Sequence, residues 1–485
     1  MCRLLVLSAF VLAVAAFLPV SSAGFFRHDL YGPVDAANDL VGGEELSSDD
    51  ALYLTPYIDA GKLKEGRELS EVKNLPKNVT IKSFSGFLTV NKKYNSNIFF
   101  WFFPALNGKV GKDVPVLLWL QGGPGASSMY GLFVENGPLQ VINKDLDVVI
   151  RNHTWNREFA VLYIDQPVGT GFSFTDFDEA YPDTEEEVAH DLYEALKQFF
   201  TLYEDYRGSP FYLTGESYAG KYVPAVGYKI HTEGEHAKRA GINLQGLVVG
   251  DGWTDPRNQA VKYGDFLYQI GLLDEEQKAY FAVEEKKFAD LVDQKNYARA
   301  ADIMDDLLNG NANGTSYFQQ VSGLTNYYNF LMNGSPADMS YYLNYLALKQ
   351  TRKAINVGKR PYLDGSQSAA HLMPDLMVSV RHWVEALLDA NYRTLFYSGQ
   401  LDIIVAAPLT ENYLTKMQWK GAQKYHTAPR SIYKVEPNDT AVAGYVRKVD
   451  NFYYAIIRNA GHILPYDQPR VALDMITRFV HKKEF

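Results

Sequence analysis

Six short apolar runs, Val114–Leu120, Ala160–Asp165, Phe211–Thr214, Leu244–Gly250, Thr394–Tyr397 and Ala455–Ile457, are spaced along the chain with longer, more polar stretches between them. Strands with no polar alternation must be covered on both faces, as parallel strands joined by helical crossovers are. The alternation therefore predicts an α/β fold around a central, mostly parallel sheet. Between the second and third runs, Thr184 and Glu187 form a capping-box pattern, and Val188, Leu192, Ala195, Leu196, Phe199 and Leu202 follow at helical spacing. A helix packed on the sheet is expected there. From about Pro256 to Pro374 the strand signal fades, and Asp274–Asn296 and Tyr297–Leu308 read as charged amphipathic helices. This segment, 256–374, is expected to be a helical cap inserted between two parts of one core, 24–255 and 375–485, with the Tyr341–Tyr345 stretch as packing surface.

With 485 residues, 47% hydrophobic and 21% charged, the chain has enough apolar material for a large core, which excludes a disordered or collagen-like chain. The formal net charge is −10, and no dense Lys/Arg stretch could track a phosphate backbone, so nucleic acid is excluded as a partner. Met1–Arg3 carries a small positive end, Leu4–Pro19 is almost wholly apolar, and Ser21-Ser22-Ala23 offers small residues for cleavage. Residues 1–23 read as a signal peptide, since the apolar run falls short of the ~20 residues of a spanning helix. No membrane anchor is expected. The only cysteine, Cys2, falls inside that leader, so disulfides, thiol catalysis and cysteine metal sites drop out together. A secretory route, to the outside or to a lysosomal or endosomal lumen, agrees with five Asn-x-Ser/Thr sequons at Asn78, Asn152, Asn313, Asn333 and Asn438.

The sharpest local feature is Phe211–Gly220, FYLTGESYAG, in which a buried strand runs into a tight turn and then a helix. Small residues two positions either side of a serine bring strand and helix close and project the hydroxyl above the sheet edge. Gly215 fits; Ala219 stands where the strict pattern has glycine, with Gly220 next. A serine needs a histidine to take its proton and a carboxylate to hold that histidine. Asp402 follows the run Leu395–Leu401, and His462 follows Ile456–Gly461, so both fall just past strands, where an open α/β sheet collects its functional groups. His153, His426 and His481 follow no strand in this way. Donors for an oxyanion are expected from the Tyr218 amide and from the glycine-rich loop Gln121–Ser128 at Gly123; no Gly-Lys-Ser/Thr follows that loop, which disfavours a phosphate site.

Taken with Val134–Leu139, Asp165–Phe174, Gly250–Trp253, Ser398–Asp402 and Gly461–Asp467, these motifs resemble the serine carboxypeptidases, most closely their vitellogenic carboxypeptidase-like branch. The resemblance implies an α/β-hydrolase fold and a cofactor-free, metal-free enzyme that removes C-terminal residues from peptides and proteins through an acyl-enzyme. It implies nucleophile, acid and base at Ser217, Asp402 and His462, and a grip on the substrate's terminal carboxylate by Trp119, Gln121, Glu135 and Glu216. Many members have Asn at Gln121 and a disulfide-bonded Cys at Ala126, so the oxyanion loop here is expected to be held by packing alone. Two buried carboxyls beside an anionic chain end would share a proton, and an acidic pH optimum follows. The rival readings are an esterase or acyltransferase with the same triad, and an inactive homologue with a storage or scaffolding role. Oligomeric state stays open, with a homodimer among the options.

Overall fold

The computed structural model describes residues 51–311 and 313–485; the leader 1–23 and Cys2 lie outside the described residues. Its centre is a ten-stranded sheet of β1 (Phe84–Asn91), β2 (Ser96–Phe103), β3 (Val116–Leu120), β4 (Ala160–Ile164), β5 (Pro210–Glu216), β6 (Asn243–Gly250), β7 (Arg393–Gly399), β8 (Arg430–Tyr433), β9 (Gly444–Val449) and β10 (Phe452–Ile457). The spatial order is β1-β2-β4-β3-β5-β6-β7-β10-β9-β8. The neighbours β4/β3, β3/β5, β5/β6, β6/β7 and β7/β10 pair in parallel, and the four flanking pairs are antiparallel. The six parallel strands are the six apolar runs; the antiparallel edge strands went unread. Two of the four show why: Gly86 interrupts β1, where a side chain would strike Leu54 at 2.8 Å, and β9 carries the adjacent charges Arg447 and Lys448.

Register aligns the strand tips. Leu120 pairs with Gly215, Glu216 with Gly250, Tyr397 with Gly250, and Gly399 with Ile457, so the carboxyl ends of β3, β5, β6, β7 and β10 form one rim. The order reverses between β3 and β5, which opens the crevice where α/β sheets bind ligands. The predicted crossover helix is α1 (Glu185–Leu202), which buries Val188, Leu192, Ala195, Leu196, Phe199 and Leu202. Its cap is half of the expected box: Thr184 Oγ1 accepts from the Glu187 amide (3.3 Å), while the Glu187 carboxylate accepts from the Asp183 amide (2.8 Å) instead of the cap residue's own.

Residues 256–374 are mainly helical, with α2 (Glu275–Asp293) the longest helix and Tyr342 and Tyr345 packed inward. Their Tyr327–Phe330 segment is pinned across the rim. The Tyr327 carbonyl accepts from the Ile403 and Ile404 amides (3.0 and 3.2 Å), the Tyr328 carbonyl from His462 N (2.6 Å), and Phe330 N donates to Leu401 (3.1 Å). Asp402 and His462 are thereby fully buried. Among the described residues, no helix is long and apolar enough to cross a membrane.

A second attachment involves His371, on α3 (Ser366–Leu372). Its Nδ1 lies 2.8 Å from Asp183, its Nε2 3.3 Å from Asp178, and its ring stacks on Tyr181 at 5.1 Å. Burial disfavours the imidazolium, but the hydrogen bonds to the two carboxylates outweigh it, and the pKa is raised above 6.5. A raised pKa means stability fully present below the unfolded value and lost as pH rises through the folded one. His371→Ala is therefore expected to cost more stability at pH 5 than at pH 8, by up to about 1 kcal/mol as for exposed ion pairs. Urea midpoints at both pH values check this; an equal penalty would mean the ring acts by stacking alone.

Candidate active site

Ser217 sits on the turn between β5 and α4 (Ala219–Glu233), with φ at +64°, a left-handed conformation that costs a non-glycine residue energy. The turn is held at both ends. Ser217 N donates to the Gly250 carbonyl (2.9 Å), and its own carbonyl accepts from Gly220 N and Trp253 N (both 2.9 Å). The tightness requires Gly215, where a Cβ would lie 2.6 Å from the Leu120 carbonyl oxygen and 2.7 Å from the Ala219 Cβ. The next strict demand falls at Gly220, where a Cβ would lie 2.6 Å from Trp253 N in the loop after β6.

His462 Nδ1 lies 2.8 Å from Asp402 Oδ2, with both side chains fully buried. Asp402 follows β7 and His462 follows β10, whose tips pair through Gly399 and Ile457. The other ring nitrogen of His462, Nε2, and the Ser217 hydroxyl are both buried with no hydrogen-bond partner among the described residues. The Asp402–His462 contact is thus formed, and the serine–histidine contact is not closed. Such contacts often tighten only with substrate bound. His153 is half-buried, and His426 and His481 are exposed, unlike the fully buried His462.

The glycine-rich loop after β3 lies directly on the serine turn: a Cβ at Gly122 would come 2.5 Å from Tyr218 N and 2.7 Å from Ser217 Cβ. Gly123 follows in this loop with φ +111°, and Tyr218 is the residue after the serine. One expectation is corrected here, since hydrogen bonds and not packing alone fix this loop. Buried Asp165 accepts from Ser127 Oγ (2.5 Å), Ser128 N (3.0 Å) and Phe172 N (2.9 Å), and Ser128 Oγ accepts from Gln121 N (3.1 Å). Burial pushes the Asp165 carboxyl up to about 7 against the pull of these donors. Asp165 thus ties the end of the loop to Phe172, and Ser128 ties that end back to Gln121.

Next to the serine lies a second polar cluster. Trp119 Nε1 donates to Gln121 Oε1 (2.9 Å), and Gln121 Nε2 donates to Glu216 Oε1 (3.3 Å), so the longer amide is engaged at both ends. Glu135 and Glu216 are both fully buried, each bears on the other's titration, and neither Glu135 oxygen has an ordinary donor among the described residues. Both are held above the ordinary carboxylate range. Burial is the main cause, and for Glu216 the charges of Glu135 and Asp251 come next. Arg151, which the sequence did not single out, backs the pair: it is anchored on the Phe133 and Gly137 carbonyls (2.5 and 3.1 Å), and its charge reaches Glu135. No local pattern marks such a residue; only its burial does. Asp251, just past β6, is a further buried acid at this rim that the sequence did not single out.

A family model described as serine carboxypeptidase matches residues 74–482. The human protein named "Probable serine carboxypeptidase CPVL" is 47% identical over 474 residues, 98% of this chain and 97% of its own. The venom serine carboxypeptidase of Apis mellifera is 47% identical over 447 residues (91% and 93%), and the vitellogenic carboxypeptidase of Aedes aegypti 43% over 439 (90% and 91%). Among solved structures, the prohormone-processing carboxypeptidase Kex1Δp of Saccharomyces cerevisiae shares the fold with a TM-score of 0.76 at 23% identity, covering 86% of this chain and 96% of that one. With an α/β-hydrolase sheet and family identity over nearly its whole length, this chain belongs to the serine carboxypeptidase family and is a serine-type carboxypeptidase, a hydrolase.

Proposed function

We propose that the enzyme releases single residues from the C-termini of peptides through an acyl-enzyme on Ser217. Ser217 Oγ attacks the last peptide carbonyl, and His462 Nε2 takes its proton while Asp402 steadies the ring. The amides of Gly123 and Tyr218 receive the oxyanion. His462 returns the proton to the departing amine, and water then cleaves the ester by the same route. No cofactor or metal enters these steps. The observation that carries the exopeptidase reading is the buried Glu135–Glu216 pair beside the serine. A shared proton there can be donated to a substrate carboxylate, and Trp119 and Gln121 hold the pair in place.

A secreted or luminal setting with glycans at Asn78, Asn152, Asn313, Asn333 and Asn438 belongs to the same reading, supported by the exposure of all five asparagines. So does an acidic optimum, since the grip needs a protonated carboxyl. The test is a defined peptide and its C-terminal amide, followed by mass spectrometry. The free acid is expected to shorten one residue at a time while the amide is spared. Equal cleavage of both, or turnover of simple esters alone, would replace this reading with the esterase or acyltransferase one.

A further inference from the structure

Asp251 stands at the tip of β6, between the strands that end at Ser217 and Asp402, with φ at +43° and full burial. Its backbone N donates to the Tyr397 carbonyl (2.8 Å), and its Oδ1 accepts from Gly399 N (2.7 Å), three residues before Asp402. Its Oδ2 is buried without an ordinary donor among the described residues. One carboxylate oxygen of Asp251, one of Asp402 and one ring nitrogen of His462 all lie within 4.8 Å of one another.

Two carboxyls this close in a dry site cannot both ionise, and a hydrogen bond between them needs a proton on one. Asp402 already faces the imidazole. The groups bearing on Asp251 are Asp402 and Gly399 from the β7 end, Asp467 beyond β10, Glu216 and Tyr397 from the neighbouring strands, and Tyr454 on β10. All the charges among them are negative, and burial adds to their effect in favouring the neutral acid. Resting on the triad roles proposed above, we infer that Asp251 is a positioning residue: its carboxyl hydrogen bonds to Asp402 and, with Gly399 clamping its other oxygen, fixes the face that Asp402 presents to His462.

Labelling by an alkyl fluorophosphonate tests this, because that probe reads the serine and its base and carries no terminal carboxylate for the Glu135–Glu216 pair to grip. Asp251→Ala removes the donor and is expected to slow labelling and kcat by about tenfold to a hundredfold, the worth of a hydrogen bond to a charged group, with KM nearly unchanged. Asp251→Asn keeps an acceptor for Gly399 and an N–H for Asp402 at every pH. It is expected to recover most of the rate and to hold it further into the alkaline range than wild type, whose donor is lost as Asp251 ionises. Wild-type labelling of Asp251→Ala, or Asp251→Asn as slow as the alanine variant, overturns the inference. If Asp251→Ala does not fold, identical pH profiles for wild type and Asp251→Asn do so. Labelling of Ser217→Ala would instead overturn the triad reading on which the inference rests.

Discussion

Ser217→Ala is expected to fold as wild type does and to lose about 10⁶-fold in kcat, as loss of a triad serine does elsewhere. A residual rate of about 10³–10⁴ over water should remain from the oxyanion amides and binding. The stability expectation comes from the geometry. The hydroxyl has no hydrogen-bond partner among the described residues, so removing it orphans no buried group there, and the turn is held by the backbone contacts to Gly250, Gly220 and Trp253. The left-handed backbone at Ser217 adds a companion result: Ser217→Gly should be equally inactive yet more stable by roughly 1 kcal/mol, since glycine adopts that conformation without strain. Peptide turnover and denaturant midpoints for the three proteins check both. A Ser217→Ala enzyme within tenfold of wild type would remove the serine from the chemistry.

The second large effect is on substrate affinity. Glu135 and Glu216 are both held above the ordinary carboxylate range, first by burial and then, for Glu216, by each other's proximity and Asp251. The sign follows: the proton that can meet a substrate carboxylate is present below the raised pKa of the pair and is lost as pH rises through it, leaving two negative charges against a third. KM for a free-acid peptide should therefore climb toward alkaline pH, approaching tenfold per pH unit beyond that pKa, while KM for the matched amide stays flat. Loss of that proton therefore sets the alkaline limit of turnover for free-acid peptides at low substrate concentration. In Glu216→Gln the side-chain amide donates at every pH, so the climb should flatten. Initial rates for the peptide and amide pair across pH 4.5–8.5 would check it, and parallel KM curves for both substrates would end the carboxylate role.

Burial on both faces is a local property of composition, which is why β3, β4, β5, β6, β7 and β10 were legible as uninterrupted apolar runs, and why Ser217, Asp402 and His462 could be picked out just past three of them. Of the antiparallel strands, β1, β8 and β9 mix buried with half-buried or exposed positions and gave no comparable signal, whereas β2 is buried along its whole length and only its pairing sets it apart from the parallel strands. Single positions with a strict steric demand, such as Gly215, were also readable. The partnerships were not: Gln121 meets Glu216 across 95 residues, Ser127 meets Asp165 across 38, and Gly399 meets Asp251 across 148. The local sequence determined the parallel sheet and where along the chain its reactive residues fall. The register of the strand tips decided which acids lie side by side, because whether a buried carboxyl keeps its proton depends on the charges and donors within a few ångströms, and those come from segments far apart in the chain.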